Sequence, residues 1–565
     1  MKPLRKVYER LPDSFLGWVL FLLMISVVLY TPLMGDDLPM FQYRVGNPNV
    51  ESKSIHQLAQ SLVWQFLPMG RLTIISFYYT EWVFRTFTTV FTYKIWMVLL
   101  NLTTIFIFLK WLKFVGFQFK PALLLLFISV GIQLRLNYHD SYSSYVGLCQ
   151  LFNSLIFMAS AAWLSLYRKF VPWKCIVAIV LTLSVMFISE YALLLLGLIP
   201  LLFWISDKLT SQKTQWRRII RFTIPAVCIA FLYLFTILLL RSWYPPTKMY
   251  SGLSSNMNIS EMVILELKQM YAAIPMTNVT NTPRLPLRIL HQLSFWDVAM
   301  VAGVLLWTMV MVFRKNNISA QSQKSRESVR YWLLLGGFLW IATAVFILPS
   351  AKYQSEITWG NGYLSLMLQN LGIAMILYAV YQTIQQQTSK PWISRAFAIG
   401  ITTTMLLTFL FNHSISKKYQ YKKAFPAQEV WNFICDNKLV DLPSNSVLVM
   451  QQDFYYRSPE IYQQLIQDYS GKLIEVIDYQ GEIAKNGARI WEFSSDSTII
   501  SNRDSNKLAQ KPWFGLFIET GKTIEIKLAP IDLNDLQQGI LKPNGPYLAR
   551  RLAINPINVI FADLD

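Results

Sequence analysis

Charged residues are scarce in this sequence. They make up 15% of its 565 residues, against about 25% in an ordinary soluble domain, and acids are scarcer still, at 32 against 51 Lys and Arg. With 54% hydrophobic residues, so little charge excludes a soluble globular chain and points to a polytopic membrane protein. Cysteine is nearly absent: Cys149, Cys175 and Cys228 lie in or beside apolar runs and Cys435 stands alone, which excludes a disulfide framework and a thiolate metal centre. The four histidines (56, 139, 291 and 413) lack metal-ligand spacing. No internal repeat is visible. No small-x-small cleavage motif follows the first apolar run, so that run reads as a retained signal-anchor helix behind a basic start, Lys2, Arg5, Lys6 and Arg10.

Apolar stretches of spanning length fall at 15–34, 88–109, 121–136, 143–167, 173–189, 191–206, 222–241, 293–313, 331–349, 362–383 and 395–413. The expectation is a mainly α, polytopic helical membrane domain of about 11 spans over residues 1–413. If the N-terminus is cytoplasmic, the inner segments hold 22 Lys and Arg and only four acids, Glu9, Asp13, Asp207 and Glu327. The positive-inside rule then gives an N-in, C-out chain.

The same count explains the net charge of +19. Residues 414–565 hold 17 basic and 18 acidic residues, so the excess lies in the membrane part. It reports topology and excludes a nucleic-acid surface.

After residue 413 the composition shifts. "SISKKYQYKKAFPAQ" is polar and basic, "EVWNFICDNKL" reads as an amphipathic helix, and "SVLVMQQ", "KLIEVIDY", "WFGLFIE" and "TIEIKLAPI" read as strands. Residues 414–565 are therefore an expected α+β domain on the extracytoplasmic side, to contact substrate or partner or to serve as a structural cap. Two long outer loops, 35–87 and 242–292, carry the apolar-aromatic segments "IHQLAQSLVWQFLPMGRLTIISFYYTEWVF" and "ISEMVILELKQMYAAI", spaced for helices lying in the membrane interface.

Nine of the fourteen acids before residue 414 fall on the expected outer side, where an ionised group at a span end is costly unless it is paired or faces water. Three places stand out. Asp36 and Asp37 end the first span; "LRLNYHDSYSSY" puts Arg135, His139 and Asp140 in one turn; "FISEYALL" puts Glu190 in a tight turn. Any one of them alone also fits a solvated helix cap, and His139 alone fits a hydrogen-bonding interface residue. If their spans are neighbours, all three share one cavity.

Taken jointly, the acidic pair after the first span, the loop motif "LPMGRLTIISF", the Tyr-His-Asp-Ser turn and the Ser-Glu turn resemble the GT-C class of membrane glycosyltransferases over about residues 1–410. The closest look is to bacterial glucosyltransferases that modify O-antigen and other surface glycans. The resemblance implies a polyprenyl-phosphate sugar donor, a glycan or lipid-linked acceptor, and an extracytoplasmic site in the bacterial cytoplasmic (inner) membrane. It carries the acceptor-activating acid to Asp36 or Asp37, the second-loop acid to Asp140, and the Gly-Arg of the first loop to Gly70 and Arg71. The chain departs from the class in having neither an Asp-x-Asp in the second outer loop nor a Trp-Trp-Asp sequence. A divalent cation (Mg or Mn) and a whole-oligosaccharide donor are thereby left in question.

The chemistry asks for the same groups. A positioned carboxylate takes the acceptor hydroxyl proton, and a fixed cation steadies the departing phosphate. Asp36, Asp37, Asp140 and Glu190 are the candidate catalytic acids. Arg71, Arg135, Arg241 and Lys352 are candidate phosphate ligands, and His139, Trp359, Asn361 and Tyr363 are candidates to line a sugar site, with an interfacial aromatic belt the alternative for the last group. Two other classes stay open. A transporter or flippase of lipid-linked sugars is expected to bury charge at mid-membrane, whereas the acids here gather at one face apart from Asp297, near a span end, as is the cation Lys94. A membrane O-acyltransferase would be built on His139 and Asp140.

Overall fold

The computed structural model describes residues 13–554 except 32, 34–36, 45–49, 51, 68–71, 136–139, 211, 244–257, 279–297, 300, 306–323, 346–347, 349–353, 355–356, 364, 388–390, 420–424, 452–458, 484–488, 493–509, 521–522 and 538–541. The chain falls into two compact units, Met1–Thr31 with Ser54–Ser416, and Pro32–Lys53 with Lys417–Asp565.

The first unit is helical: α1 (Asp13–Ile25), α2 (Ile55–Phe66), α3 (Ile74–Thr86), α4 (Val90–Val115), α5 (Pro121–Val130), α6 (Leu148–Arg168), α7 (Pro172–Met186), α8 (Leu195–Leu209), α9 (Trp216–Trp243), α10 (Ile259–Ala272), α11 (Lys324–Ala342), α12 (Leu366–Gln387) and α13 (Pro391–Tyr419). Local sequence sets the ends. Ser54 with Gln57 and Thr89 with Thr92 form reciprocal capping boxes at the starts of α2 and α4. Proline opens α5 and α7, where its missing N–H costs nothing.

Among the described residues, six helices are long and apolar enough to cross a membrane: Val90–Val115, Tyr145–Arg168, Ala192–Leu209, Trp216–Leu240, Leu366–Gln386 and Ala396–Ser416. Four of the other expected spans are apolar helices but shorter, Gly17–Leu29, Pro121–Val130, Pro172–Met186 and Val329–Ala342. The eleventh, 293–313, lies largely outside the described residues. Both interfacial segments expected in the long loops are helices, α2 with α3 and α10. Helix α9 leaves Ile220, Ile224, Phe231, Leu232, Phe235 and Leu238 exposed, a surface suited to lipid. Helices α11 and α12 meet at Gly336 and Gly372, where a Cβ on Gly336 would lie 2.7 Å from the Gly372 carbonyl oxygen. Such close backbone approach is how helices pack where lipid removes the hydrophobic drive.

At one end of this unit the basic segment ends meet. Arg168 donates to the Val115 carbonyl (3.0 Å) and to Ser206 Oγ (2.7 Å), the Tyr167 hydroxyl donates to Asp207 (2.7 Å), and Arg218 reaches the Tyr167 carbonyl (2.5 Å). The ends of α4, α6 and α8 and the start of α9 are thus tied together. Helix α4, with 26 residues, carries the chain from this end to the opposite one, about 39 Å away at 1.5 Å per residue.

The second unit holds the short helix Asp37–Arg44, α14 (Phe425–Cys435), β1 (Val447–Gln451), α15 (Pro459–Ser470), β2 (Glu475–Ile483), β3 (Arg489–Glu492), β4 (Trp513–Thr520), β5 (Thr523–Pro530) and β6 (Ala549–Ile554). The sheet order is β3-β2-β1-β4-β5-β6. Strand β1 is parallel to β2 and β4, and the outer pairs are antiparallel. A parallel pair needs a crossover, which α15 supplies between β1 and β2. Val430, Phe433 and Ile434 of α14 and Tyr462 and Ile466 of α15 pack with Leu448, Met450, Leu516, Ile526 and Leu528 in one core. The four expected strands are present; β3 and β6 add to them.

Candidate functional site

The apolar run that starts α5 continues to Leu136, yet the helix stops at Val130. From Gly131 to Gly147 the described chain is irregular and almost wholly buried. Buried irregular backbone survives at membrane depth only where protein satisfies its N–H and C=O groups. Helix side chains do so here. Asn370 donates to the Gly131 carbonyl (2.7 Å) and to the Tyr142 hydroxyl (2.8 Å). Asn412 donates to the Ile132 carbonyl (2.7 Å) and accepts from Leu134 N (2.8 Å). Asn278 donates to the Leu134 carbonyl (3.1 Å), Asn101 to the Tyr142 carbonyl (2.9 Å), Gln150 to the Ser141 carbonyl (2.8 Å) and Lys94 to the Ser143 carbonyl (2.8 Å).

Asp140 organises the turn from within. It is fully buried. Its Oδ1 accepts from Tyr142 N (2.9 Å), Ser143 N (2.8 Å) and Ser143 Oγ (2.8 Å), and its Oδ2 accepts from Arg135 N (2.9 Å). Ser144 closes the turn by donating from N and Oγ to the Asp140 carbonyl and accepting from Asp140 N. These bonds make Asp140 a positioning residue for the turn.

Arg135 extends the same hub outward. Its guanidinium, 2% exposed, donates to the carbonyls of Gln133 (3.2 Å), Gly360 (3.2 Å) and Ala272. One cation therefore joins the irregular segment, the C-terminal end of α10 and the loop before α12, with the nearby Asp140 charge compensating it. The loop takes its shape from "WGNGY". Gly360 and Gly362 have φ of 80° and 60°, and a Cβ on Gly362 would collide with Leu366, so only glycine serves there. Trp359 stacks edge-on with Tyr271 (5.6 Å), Asn361 donates to Thr358 Oγ1, and Tyr363 N donates to Gln269 (3.1 Å). On α10, both carboxylate oxygens of Glu266 are hidden and meet no donor among the described residues. Burial pushes that carboxyl up to about 7.

Three segments then line one small cleft of about 40 Å³: Tyr145, Leu148, Cys149, Phe152 and Asn153 at the start of α6, Ile188 and Ser189 from the turn after α7, and Ser365 and Leu368 at the start of α12. Helix α3 braces the turn after α7, with Ile75 N donating to the Phe187 carbonyl (3.1 Å) and Ser76 Oγ to the Ile188 carbonyl (2.8 Å). The entry to α6 is strained. Tyr145, Val146 and Gly147 are consecutively left-handed, with φ of 61°, 57° and 75°. For Tyr and the β-branched Val this costs about 1–3 kcal/mol each and persists only where the surroundings over-determine it. Asn153 is 2% exposed, and its side-chain Nδ2 has no acceptor among the described residues, a defect worth about 1–3 kcal/mol.

The Tyr-His-Asp-Ser and Ser-Glu turns are thus brought together, along with the loop of Trp359, Asn361 and Tyr363. Arg135 is spent on three carbonyls and holds backbone. Trp359 remains half exposed. Asp37 is fully buried at the first turn of the helix Asp37–Arg44, in the second unit. Glu190 begins a 3₁₀ turn, Glu190–Leu194, and Arg241 lies in the last turns of α9; their side chains, and Asp36, Arg71, His139 and Lys352 entirely, lie outside the described residues. Sequence reading missed Asn101, Asn153, Asn278, Asn370 and Asn412. Four of these are amides inside apolar runs, in "LLNLT", "LFNSL", "LQNLG" and "LFNHS", and that setting is itself the signal, since a polar group there needs a partner.

Among the described residues no three His, Cys, Asp or Glu side chains converge, and Asp140 already accepts four donors. No family model matches the sequence, and no curated protein matches it. Fold and site define a class: a mainly helical protein with, among the described residues, six helices of membrane-spanning character and a small C-terminal sheet.

Proposed function

We propose that this chain is a polytopic glycosyltransferase of GT-C type that moves a hexose such as glucose from a polyprenyl-phosphate donor to a cell-surface glycan or lipid-linked acceptor. The reading places it in the bacterial inner membrane, with eleven spans, N-in and C-out, and the C-terminal domain extracytoplasmic. The observation that carries it is the convergence of the "HDSYSSY" turn, the "FISEY" turn and the "WGNGYLS" loop on one cleft. Two of these, the Tyr-His-Asp-Ser and Ser-Glu turns, are among the three places expected to share one membrane face. The meeting of basic segment ends at the opposite end supports the same alternation.

In the reaction the acceptor hydroxyl loses its proton to a carboxylate and its oxygen attacks the anomeric carbon. The bond from that carbon to the phosphate oxygen breaks, and polyprenyl phosphate leaves with the electron pair. The base is assigned to Asp36 or Asp37 on the resemblance alone. Asp140 and Arg135 are positioning residues, and Arg241 is the first choice for the phosphate, because a cation ending an apolar helix calls for an anionic partner.

The test is transfer from radiolabelled polyprenyl-phosphate-glucose in proteoliposomes beside an assay of lipid flipping. Transfer by the wild type, lost in Asp36→Asn or Asp37→Asn with folded protein retained, is the expected result. Flipping without transfer overturns the reading in favour of a transporter.

A further inference from the structure

Helix α9 divides by burial into two opposite stripes. Ile219, Ala226, Ala230, Tyr233 and Ile237 are buried, whereas Ile220, Ile224, Phe231, Phe235 and Leu238 are exposed. Of the six candidate spans α9 is the least covered, with 22% of its apolar window buried. Its outward stripe does not begin apolar. Arg217 and Arg221, one turn apart, are both exposed, and at about 100° per residue they stand in line with Ile220, Ile224 and Phe235. Neither makes a hydrogen bond or ion pair among the described residues, while Arg218 between them is held on the carbonyl and the ring of Tyr167.

That placement is unfavourable as it stands. Like charges at i and i+4 repel, and cations in the first turns of a helix oppose its dipole. The neighbouring sequence offers no relief: Asp207 is the only acid between Glu190 and Glu261, and it accepts from the Tyr167 hydroxyl. Topology alone asks only for basic residues in the connection, which Lys208 and Lys213 already supply. It does not ask for two arginines on the outward stripe of the helix itself.

The helix beside it presents the same profile. Phe222 meets Tyr167 (5.8 Å) and Phe170 (6.4 Å), and further along Tyr233 meets Phe187 (6.5 Å), so α7 and α9 run side by side in one direction from the basic end. Phe170 and Trp173 at the start of α7 and Trp216 at the start of α9 are all more than 60% exposed, and Ile176 and Val180 follow on α7 as exposed apolar residues. Exposed indoles and cations heading apolar stripes are the profile of helix ends at the lipid headgroups. We propose that Arg217 and Arg221 bind the phosphate of an anionic phospholipid in the leaflet at the basic end, with its acyl chains along the outward stripe of α9. Two guanidinium forks match a phosphate diester, and the apolar turns that follow suit acyl chains. The inference needs a membrane around these helices and does not depend on the transferase reading.

The experiment follows the unfolding midpoint of the purified full chain in neutral detergent as phosphatidylglycerol or phosphatidylcholine is titrated in, since a ligand of the folded chain raises it. Wild type is expected to bind phosphatidylglycerol about thirtyfold tighter, the order of two basic side chains at an anionic surface. Arg217→Gln with Arg221→Gln is expected to bind the two lipids alike. Without lipid this variant should unfold at or above the wild-type midpoint, because a repulsion and an opposed dipole have gone; arginines with a structural role would lower it. Should the double variant not fold, Arg221→Gln alone is expected to lower the preference about fivefold. Lys110→Gln with Lys113→Gln removes the same charge from the end of α4, where these lysines stand over Phe106 and Phe119, and is expected to keep the preference.

Equal binding of the two phospholipids by wild type, a preference that survives in the folded double variant, or a loss of the same size in the lysine variant overturns the assignment. Displacement of phosphatidylglycerol by glycerol phosphate, the same anion without acyl chains, also overturns it, because the ligand is then a soluble phosphate. Sugar transfer is read separately, so either inference can fail while the other stands.

Discussion

The two ends of the helical unit solve the same problem in opposite ways. At the basic end, helices α4, α6 and α8 run regularly to their last turns, and a few side chains bind one helix end to the next. At the other end α5 stops early, and an irregular, buried segment is held by amides from distant helices. The first arrangement suffices to close a bundle. The second spends many buried hydrogen bonds and a left-handed turn to hold a shape that bundle packing does not need. That excess supports placing the proposed site at this end, because a pre-shaped irregular segment on a rigid scaffold is what a binding site requires.

The contrast is broken most severely at Asp140. Asp140→Ala removes four accepted hydrogen bonds and leaves Arg135 buried without its compensating charge. The expected loss is about 3–5 kcal/mol, read as failure to recover folded protein in detergent. At the basic end Asp207→Asn keeps an acceptor for the Tyr167 hydroxyl, and the expected loss is about 1 kcal/mol or less. Equal losses at the two ends in thermal unfolding would erase the distinction between them.

Arg135→Lys comes next. One ammonium cannot reach the Gln133, Gly360 and Ala272 carbonyls together, so buried acceptors lose their donors at about 3 kcal/mol in all. Asn412→Leu frees Leu134 N and the Ile132 carbonyl, and about 2 kcal/mol is expected. Both should lower the unfolding midpoint and make the 131–147 amides exchange with solvent faster, while amides at the basic end keep their protection. Uniform loss of protection would mean that the segment is not a separately held element.

Much of this fold is legible in the sequence and the key part of the site is not. Apolar runs mark the helices, and short runs rich in β-branched and aromatic residues mark β1, β2, β4 and β5, because those signals are local. The early end of α5 is not local. "GIQLRL" is apolar enough to extend the helix, and what stops it is the set of partners offered by Asn370, Asn412 and Asn278, more than a hundred residues away. For the same reason Asp140 and Arg135 are conspicuous in the sequence while their roles are not. A carboxylate at a span end reads as a base until its four donors are counted. Asn153 carries no charge and belongs to no motif; only its burial and its empty donor single it out.

The finest difference expected between the two ends is one of pH. Glu266 lies on α10, the helix whose last carbonyl Arg135 holds, and burial raises its carboxyl from an ordinary 4.5 to about 7. Between these values the folded chain holds a proton that the unfolded chain has released. Stability from this group is therefore fully present below about 4.5, falls as pH rises towards 7, and is level above that. Glu266→Gln removes the ionisable group and keeps the shape, so its unfolding midpoint should equal wild type at pH 4 and exceed it at pH 8. The expected gain is small, because Glu266 is only partly buried and nearby solvent screens the charge. Asp207→Asn at the basic end tests whether the effect is local: the difference in midpoint between pH 4 and pH 8 should persist in it as in wild type, and should shrink in Glu266→Gln. A shift of the same size in both variants would place the titration elsewhere in the chain.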